Sequence, residues 1–144
     1  MNSKSFFSNK QQQHIVAAIA HAEKNTSGEI RLHLVNSCKT DPKQEAISVF
    51  EKLGMTATEL RNGVLIYLAV KDKKFAIIGD KGINEVVPTD FWDSIRDKMI
   101  EEFKKGDYLS GISKGIHAVG DKLKTHFPYA ENDTNELSNE ISFE

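Results

Sequence analysis

The chain has 144 residues, which fits a single domain with one hydrophobic core. Apolar residues make up 39% and charged residues 28%, the composition of a soluble globular protein, and the formal charge of -2 gives no basis for binding to nucleic acid or to a membrane surface. No apolar stretch approaches the roughly 20 residues of a membrane helix or has the form of a signal peptide, so we expect a cytoplasmic protein.

Caps and hydrophobic periodicity predict a helix, a strand and a second helix in the first third of the chain. Ser8 or Asn9 can cap a first helix, whose apolar residues recur at helical spacing. Alternation over residues 29–36 indicates a strand with one wetter face, near an edge of the sheet. Asp41 followed by a proline predicts a second helix over residues 41–53.

A β-hairpin is predicted in the middle of the chain. Residues 64–70 are apolar without interruption, which is typical of a central strand covered on both faces. Residues 74–78 return after a short charged turn, and so tight a connection favours an antiparallel strand. The 29–36 and 64–70 strands are joined through a helix, so we expect them to be parallel.

Helices dominate the prediction for the second half of the chain. Residues 83–87 indicate a short helical turn. A further helix is predicted to begin at residues 88–90, and Trp92 on its apolar face is expected to be part of the core. A last helix begins after Asp107. Its Gly111 and Gly115 each cost about 1 kcal/mol of helix propensity relative to alanine, which predicts close packing against the sheet or a neighbouring helix.

The chain ends in an acidic stretch. Residues 129–144 contain five acidic residues and neither lysine nor arginine, which leaves a charge of about +3 on residues 1–128. The stretch lacks apolar periodicity and follows a proline. We therefore predict a folded domain over residues 1–128 and a disordered acidic tail over residues 129–144.

The predicted strand directions bring four polar side chains to one end of the sheet. The first two strands begin, and the third ends, at the same edge, where Glu29, Arg61, Asn62 and Asp80 are flanked by glycines. Carboxylate and carbonyl oxygens are what a hard cation such as Ca²⁺ requires. Asp107 joins this set if the last helix begins at the same edge.

Less specific interpretations of these residues stay open. Aspartate between glycines is common in turns, because its side chain bonds to its own backbone. Glu29 can simply pair with Arg61 in an exposed ion pair that contributes about 0–1 kcal/mol. Open α/β sheets also tend to bind ligands at the carboxyl ends of their parallel strands, which is the opposite edge. Cys38, the single cysteine, and five scattered histidines form no recognised catalytic motif.

Several stretches taken together resemble one protein family. They are "SGEIRLHLV", "RNGVLIYLAV", "FAIIGDKGIN" and "GDY", and they resemble the TPM-domain family in its short soluble bacterial form. The resemblance implies an α/β fold, a three-layer α/β/α sandwich around a small mixed sheet with a β-hairpin and two C-terminal helices. It also implies divalent-cation binding, with Glu29, Asn62, Asp80 and Asp107 as the metal ligands. Asn62 stands where the family usually has aspartate, which lowers the expected affinity.

Two functions follow as expectations, and the sequence leaves open whether the protein is an enzyme. The first is a non-catalytic module that binds Ca²⁺, or alternatively Mg²⁺, and engages an unidentified protein partner as a monomer. The second is a metal-dependent acid phosphatase of phosphomonoesters, an activity proposed for a plant relative, in which Arg61 and Lys81 contact the phosphate. A purely structural interaction domain that uses the acidic tail is a third hypothesis. No catalytic residue is assigned, and neither nucleic acid nor direct membrane insertion is expected.

Overall fold

Four β-strands form one mixed sheet in the computed structural model of the protein, which describes residues 2–129 and 136–144. The strands are β1 (Glu29–Val35), β2 (Gly63–Ala69), β3 (Lys74–Gly79) and β4 (Ser142–Phe143), in the spatial order β3-β2-β1-β4. β1 and β2 are parallel and β3 is antiparallel to β2, as predicted, while β4 runs parallel to β1. The first two strands therefore start, and β3 ends, at one edge of the sheet.

Five helices accompany the sheet in the described part of the chain. They are α1 (Asn9–Glu23), α2 (Pro42–Lys52), α3 (Lys81–Asn84), α4 (Asp93–Lys104) and α5 (Tyr108–Leu123). Ser8 caps α1 in a capping box with Gln11, and Asp41 caps α2 ahead of a proline, so both predicted starts are confirmed. Among the described residues, no helix has the length and apolar character needed to cross a membrane.

The sheet separates two clusters of buried apolar side chains. On one face, alternate residues of β1 and β2 pack against α1, α4 and α5, namely Ile30, Leu32, Leu34, Val64, Ile66 and Leu68. On the other face, Leu65 and Tyr67 of β2 pack against α2. Helices thus cover both faces of a mixed sheet, and the predicted α/β/α sandwich is confirmed.

Close contact between α4 and α5 accounts for two of the glycines. A Cβ atom on Gly111 would lie 2.3 Å from the ring of Phe103, and one on Gly115 would lie 2.6 Å from the sulfur of Met99. Because real Cβ contacts are much longer, either substitution would push the helices apart. The close packing predicted for these glycines is therefore packing against a neighbouring helix.

The start of α4 differs from the prediction. The helix expected to open at residues 88–90 begins at Asp93, and Trp92 precedes it without a capping side chain. Trp92 is partly buried against the core, where a Cβ atom on Gly79 would come within 2.3 Å of the indole ring. The last residue of β3 is therefore a glycine because the ring of Trp92 packs directly against it.

The predicted wetter face of β1 is mostly buried. Glu29 is 3% exposed and His33 is 1% exposed. The reason is that β1 lies between β2 and β4 in the sheet instead of at its edge. Polar residues on this strand therefore have protein neighbours, and their chemistry is that of buried groups.

Residues 136–144 differ from the disordered tail predicted for residues 129–144. This segment returns along β1, where Ser142 and Phe143 form β4. Its apolar side chains are partly buried, with Leu137 in the cluster beside α2 and Ile141 and Phe143 in the cluster beside α1. β4 has only two residues, which is too short for a strand pattern to show in the sequence. Residues 130–135 lie outside the described residues.

Candidate functional site

Three chain segments meet where β1 and β2 begin and β3 ends, as the predicted strand directions require. Glu29 lies opposite Gly63 in the pairing of β1 with β2. Its backbone N–H donates to the carbonyl of Asn62 at 3.3 Å, and the N–H of Asp80 donates to the carbonyl of Gly63 at 2.9 Å. We call this end of the sheet, residues 28–29, 61–63 and 79–82, the amino-end rim.

Asp80 is fully engaged by its neighbours in the rim. Its Oδ2 and Oδ1 accept hydrogen bonds from Nε and Nη2 of Arg61 at 2.7 and 2.9 Å, which makes a two-pronged ion pair. Oδ1 also accepts the backbone N–H of Lys81 at 2.8 Å, so Asp80 caps α3. Asp80 is 5% exposed, and both of its oxygens are occupied. In this arrangement it holds α3 to the rim and offers no free oxygen to a cation.

The glycine after Asp80 allows two backbone segments to touch. A Cβ atom on Gly82 would lie 2.1 Å from the carbonyl oxygen of Leu60, and the Gly82 N–H donates to the carbonyl of Arg61 at 2.9 Å. Arg61 itself has a φ of 49°, in the left-handed region that residues with a side chain seldom occupy. The turn at Arg61 and the contact at Gly82 together bring the guanidinium to Asp80.

Glu29 is the rim carboxylate that lacks a complete set of partners. Its Oε1 accepts the backbone N–H of Leu137 at 2.6 Å, whereas Oε2 is buried and accepts no hydrogen bond from a described residue. The expected pair with Arg61 does not form, since that guanidinium binds Asp80. Burial raises the pKa of Glu29 to about 7. The hydrogen bond from Leu137 lowers this pKa, and the charge of Glu136 raises it further.

Asn62 is a fixed polar group beside Glu29. It is 1% exposed, and its backbone N–H donates to Oγ1 of Thr58 at 3.2 Å. Its side-chain nitrogen donates to Oγ of Ser27 at 3.3 Å, which ties the start of β2 to the loop before β1. Asn62 is thus held between Thr58 and Ser27.

Asp107 does not join the amino-end rim, contrary to the sequence-based expectation. It is exposed and caps α5 by accepting the Ser110 N–H at 3.0 Å. Helix α5 starts beside Phe103, whose ring contacts Phe75 at the beginning of β3, and it ends with Leu123 against Gly28. At 1.5 Å per residue this helix is about 24 Å long, so Asp107 lies at the opposite end of the sheet.

The remaining predicted contact residue, Lys81, opens α3 with an exposed side chain. Of the predicted metal ligands, Glu29, Asn62 and Asp80 lie together in the rim, whereas Asp107 lies at the other end of the sheet. The guanidinium of Arg61 binds both carboxylate oxygens of Asp80. Across residues 2–129 and 136–144, no three His, Cys, Asp or Glu side chains lie together in a way that could hold a metal ion.

The family model described as the TPM domain matches residues 1–122 of the chain. The chain belongs to the TPM-domain family. This TPM domain is similar in structure to the BA42 protein of the psychrophilic bacterium Bizionia argentinensis, with 47% sequence identity, a TM-score of 0.93, and 98% of this chain and 97% of that chain covered.

Two more distant structures share the fold of this TPM domain. One is the N-terminal domain of a P. gingivalis protein, at 19% identity and a TM-score of 0.69, with 89% of this chain and 84% of that chain covered. The other is the N-terminal domain of cg2496 from Corynebacterium glutamicum, at 14% identity and a TM-score of 0.67, with 92% and 84% covered. A comparison with curated proteins gave no match.

Two glutamates of this TPM domain near Glu29 were missed by the sequence-based site prediction. Oε2 of Glu23 accepts the N–H of Ile30 at 2.8 Å. Burial raises the pKa of Glu23 to about 7. The hydrogen bond from Ile30 lowers this pKa, and the charge of Glu29 raises it. The carboxylate of Glu136 accepts the N–H of Glu59 at 3.2 and 3.4 Å. An acid in the last turn of a helix opposes the helix dipole, so the position of Glu23 was a usable signal. Glu136 lies in a stretch without apolar periodicity, so no sequence signal pointed to it.

Proposed function

We propose that this TPM domain is a divalent-cation-binding module, with Ca²⁺ as its cation, that acts through a protein partner. The observation that supports this most directly is Glu29, which is buried at the amino-end rim and whose Oε2 has no hydrogen-bond partner among the described residues. No described lysine, arginine or histidine forms an ion pair with Glu29. A buried carboxylate in that position is unfavourable unless it takes up a proton or a cation. A bound Ca²⁺ would supply the missing positive charge.

The residues that fit a cation are fewer than the four predicted from the sequence. Glu29 fits through its unpaired carboxylate oxygen and Asn62 through its side-chain oxygen. Asp80 does not fit while Arg61 holds both of its oxygens, and Asp107 lies at the other end of the sheet. Ca²⁺ takes about six to eight oxygens and accepts irregular sets that include backbone carbonyls and water, whereas Mg²⁺ requires a nearly octahedral shell. The mixed donor set at the rim therefore favours Ca²⁺.

Exposed apolar side chains beside the rim support the second part of the proposal. Leu60 and Val86 are each 52% exposed, although both are large and apolar. Leu60 precedes Arg61 at the rim, and Val86 lies two residues after the end of α3, which packs against the carbonyl of Leu60 at Gly82. Apolar side chains next to a charged site are suited to contact with a protein surface. A cation at Glu29 would act close to this surface.

The alternative function, a metal-dependent acid phosphatase, has less support from the described residues. A phosphoryl group needs a cationic side chain that is free to neutralise its charge. The guanidinium of Arg61 donates to both oxygens of Asp80 and is therefore committed to a structural ion pair. Lys81 is exposed but stands beside that same pair. We therefore prefer the binding module.

Isothermal titration calorimetry with CaCl₂ on the full chain tests the proposal. Wild-type protein should bind Ca²⁺, and Glu29→Gln, which keeps the shape of the side chain and removes its charge, should bind at least about tenfold more weakly. Asp80→Asn is the matched control, because Asp80 lies in the same rim but has no free oxygen, and it should keep most of the affinity. Absence of binding by the wild type, or equal affinity in Glu29→Gln, would refute the proposal.

A further inference from the structure

The segment of residues 136–144 returns to the end of the sheet where Glu29 lies. The backbone N–H of Leu137 donates to Oε1 of Glu29 at 2.6 Å. The Leu137 side chain enters the buried cluster beside α2, and its Cδ1 atom is 3.5 Å from the place where a Cβ on Gly63 would stand. The segment is thus seated at the amino-end rim before it reaches β4.

A second carboxylate belongs to the residue next to Leu137. The carboxylate of Glu136 accepts the N–H of Glu59, and its charge acts on the buried carboxyl group of Glu29. No described lysine, arginine or histidine forms an ion pair with either glutamate. Oε2 of Glu29 is buried and accepts no hydrogen bond from a described residue, so the described part of this junction has negative charge without a counter-charge.

Attractive contacts hold the far end of the same segment. The Glu144 N–H donates to the carbonyl of Leu34 at 2.9 Å, and the Glu144 carboxylate lies 2.6 Å from Nζ of Lys52. The Ser142 hydroxyl is 2.7 Å from Nδ1 of His33. The segment is therefore well tied along β1, whereas at its entry the hydrogen bond from Leu137 to Glu29 is accompanied by the like charge of Glu136.

We propose that Glu136 is a second carboxylate ligand of the cation at Glu29, so that cation binding fastens the C-terminal segment onto β1. The inference rests on the proposed cation-binding function. A divalent cation between the two carboxylates converts their repulsion into a shared attraction. Glu23 does not suit this role, because it belongs to α1 and could not join the C-terminal segment to the cation. By thermodynamic linkage, docking of the segment must strengthen cation binding by the same factor as the cation strengthens docking.

Amide hydrogen exchange followed by NMR on the full chain, with and without CaCl₂, tests this coupling. The reporters are the N–H groups of Leu137 and Glu144, which donate to Glu29 and to Leu34. In the wild type, saturating Ca²⁺ should slow their exchange by about tenfold, a common size for coupling between two sites. Glu136→Gln should lose this slowing and bind Ca²⁺ about tenfold more weakly.

Glu140→Gln is the matched control, since Glu140 is an exposed acid of the same segment, and it should behave like the wild type. If the wild type binds Ca²⁺ but exchange at both reporters is unchanged, the coupling is refuted while the proposed function stands. Equal slowing in Glu136→Gln and wild type likewise refutes the role of Glu136. If the wild type does not bind Ca²⁺ in calorimetry, the proposed function fails, and the inference fails with it.

Discussion

Glu29→Gln should stabilise the cation-free protein at pH 8 and should lose that advantage in acid. The pKa of Glu29 is raised in the folded state from 4.5 to about 7. A raised carboxyl pKa favours folding below the unfolded value of 4.5, and this contribution disappears as the pH rises through about 7. At about 1.4 kcal/mol per pKa unit, the wild type should lose at most about 3 kcal/mol relative to Glu29→Gln between pH 4.5 and pH 8.

Urea denaturation in the presence of a chelator, at pH 4.5, 6 and 8, measures this difference. Glutamine mimics protonated glutamate, so the two free energies of unfolding should be similar at pH 4.5 and should diverge towards pH 8. Glu140→Gln, an exposed acid, should follow the wild type at every pH. A stability difference between Glu29→Gln and wild type that does not change with pH would refute the argument that Glu29 is a buried carboxylate without a counter-charge.

Two further substitutions test the structural part of the rim. Asp80→Ala should lower the free energy of unfolding by about 2–4 kcal/mol, because it removes a helix cap and leaves a guanidinium unpaired. The control is Asp93→Ala, which breaks the exposed ion pair with Arg96 and should lower the free energy of unfolding by less than about 1 kcal/mol in the same urea titration. Gly82→Ala should cost at least about 2 kcal/mol, since its Cβ would collide with a backbone carbonyl. At Gly106 an added Cβ atom would have no neighbour within 4 Å, but the φ of 80° is unfavourable for alanine. Gly106→Ala should therefore lower the free energy of unfolding by only about 1 kcal/mol, as measured by thermal denaturation. Similar losses for the two glycine variants would contradict the close approach at Gly82.

Strand direction was predictable because it follows from the connections. The short turn after β2 leaves β3 no alternative to antiparallel pairing, and the helix between β1 and β2 makes them parallel. Those two facts were sufficient to place Glu29, Asn62 and Asp80 at one rim. The position of Asp107 was not predictable in this way, because it depends on the direction in which α5 crosses the sheet.

The pairing of side chains within the rim could not be predicted from the sequence. Arg61 reaches Asp80 instead of Glu29 because its backbone adopts a left-handed conformation and Gly82 lets α3 lie against the preceding carbonyl. The contact of residue 137 with Glu29 joins positions 108 residues apart, through an acidic segment without periodicity. Long-range contacts of this kind leave no local pattern, and they decide which carboxylate remains unpaired.

A crystal structure of the full chain grown with CaCl₂ tests the proposed cation site most directly. We expect an ion at about 2.3–2.6 Å from Oε2 of Glu29, with Asn62 in its shell and the pair between Arg61 and Asp80 intact. An ion bound to Asp80 with Arg61 displaced, or an unoccupied rim at saturating Ca²⁺, would contradict it.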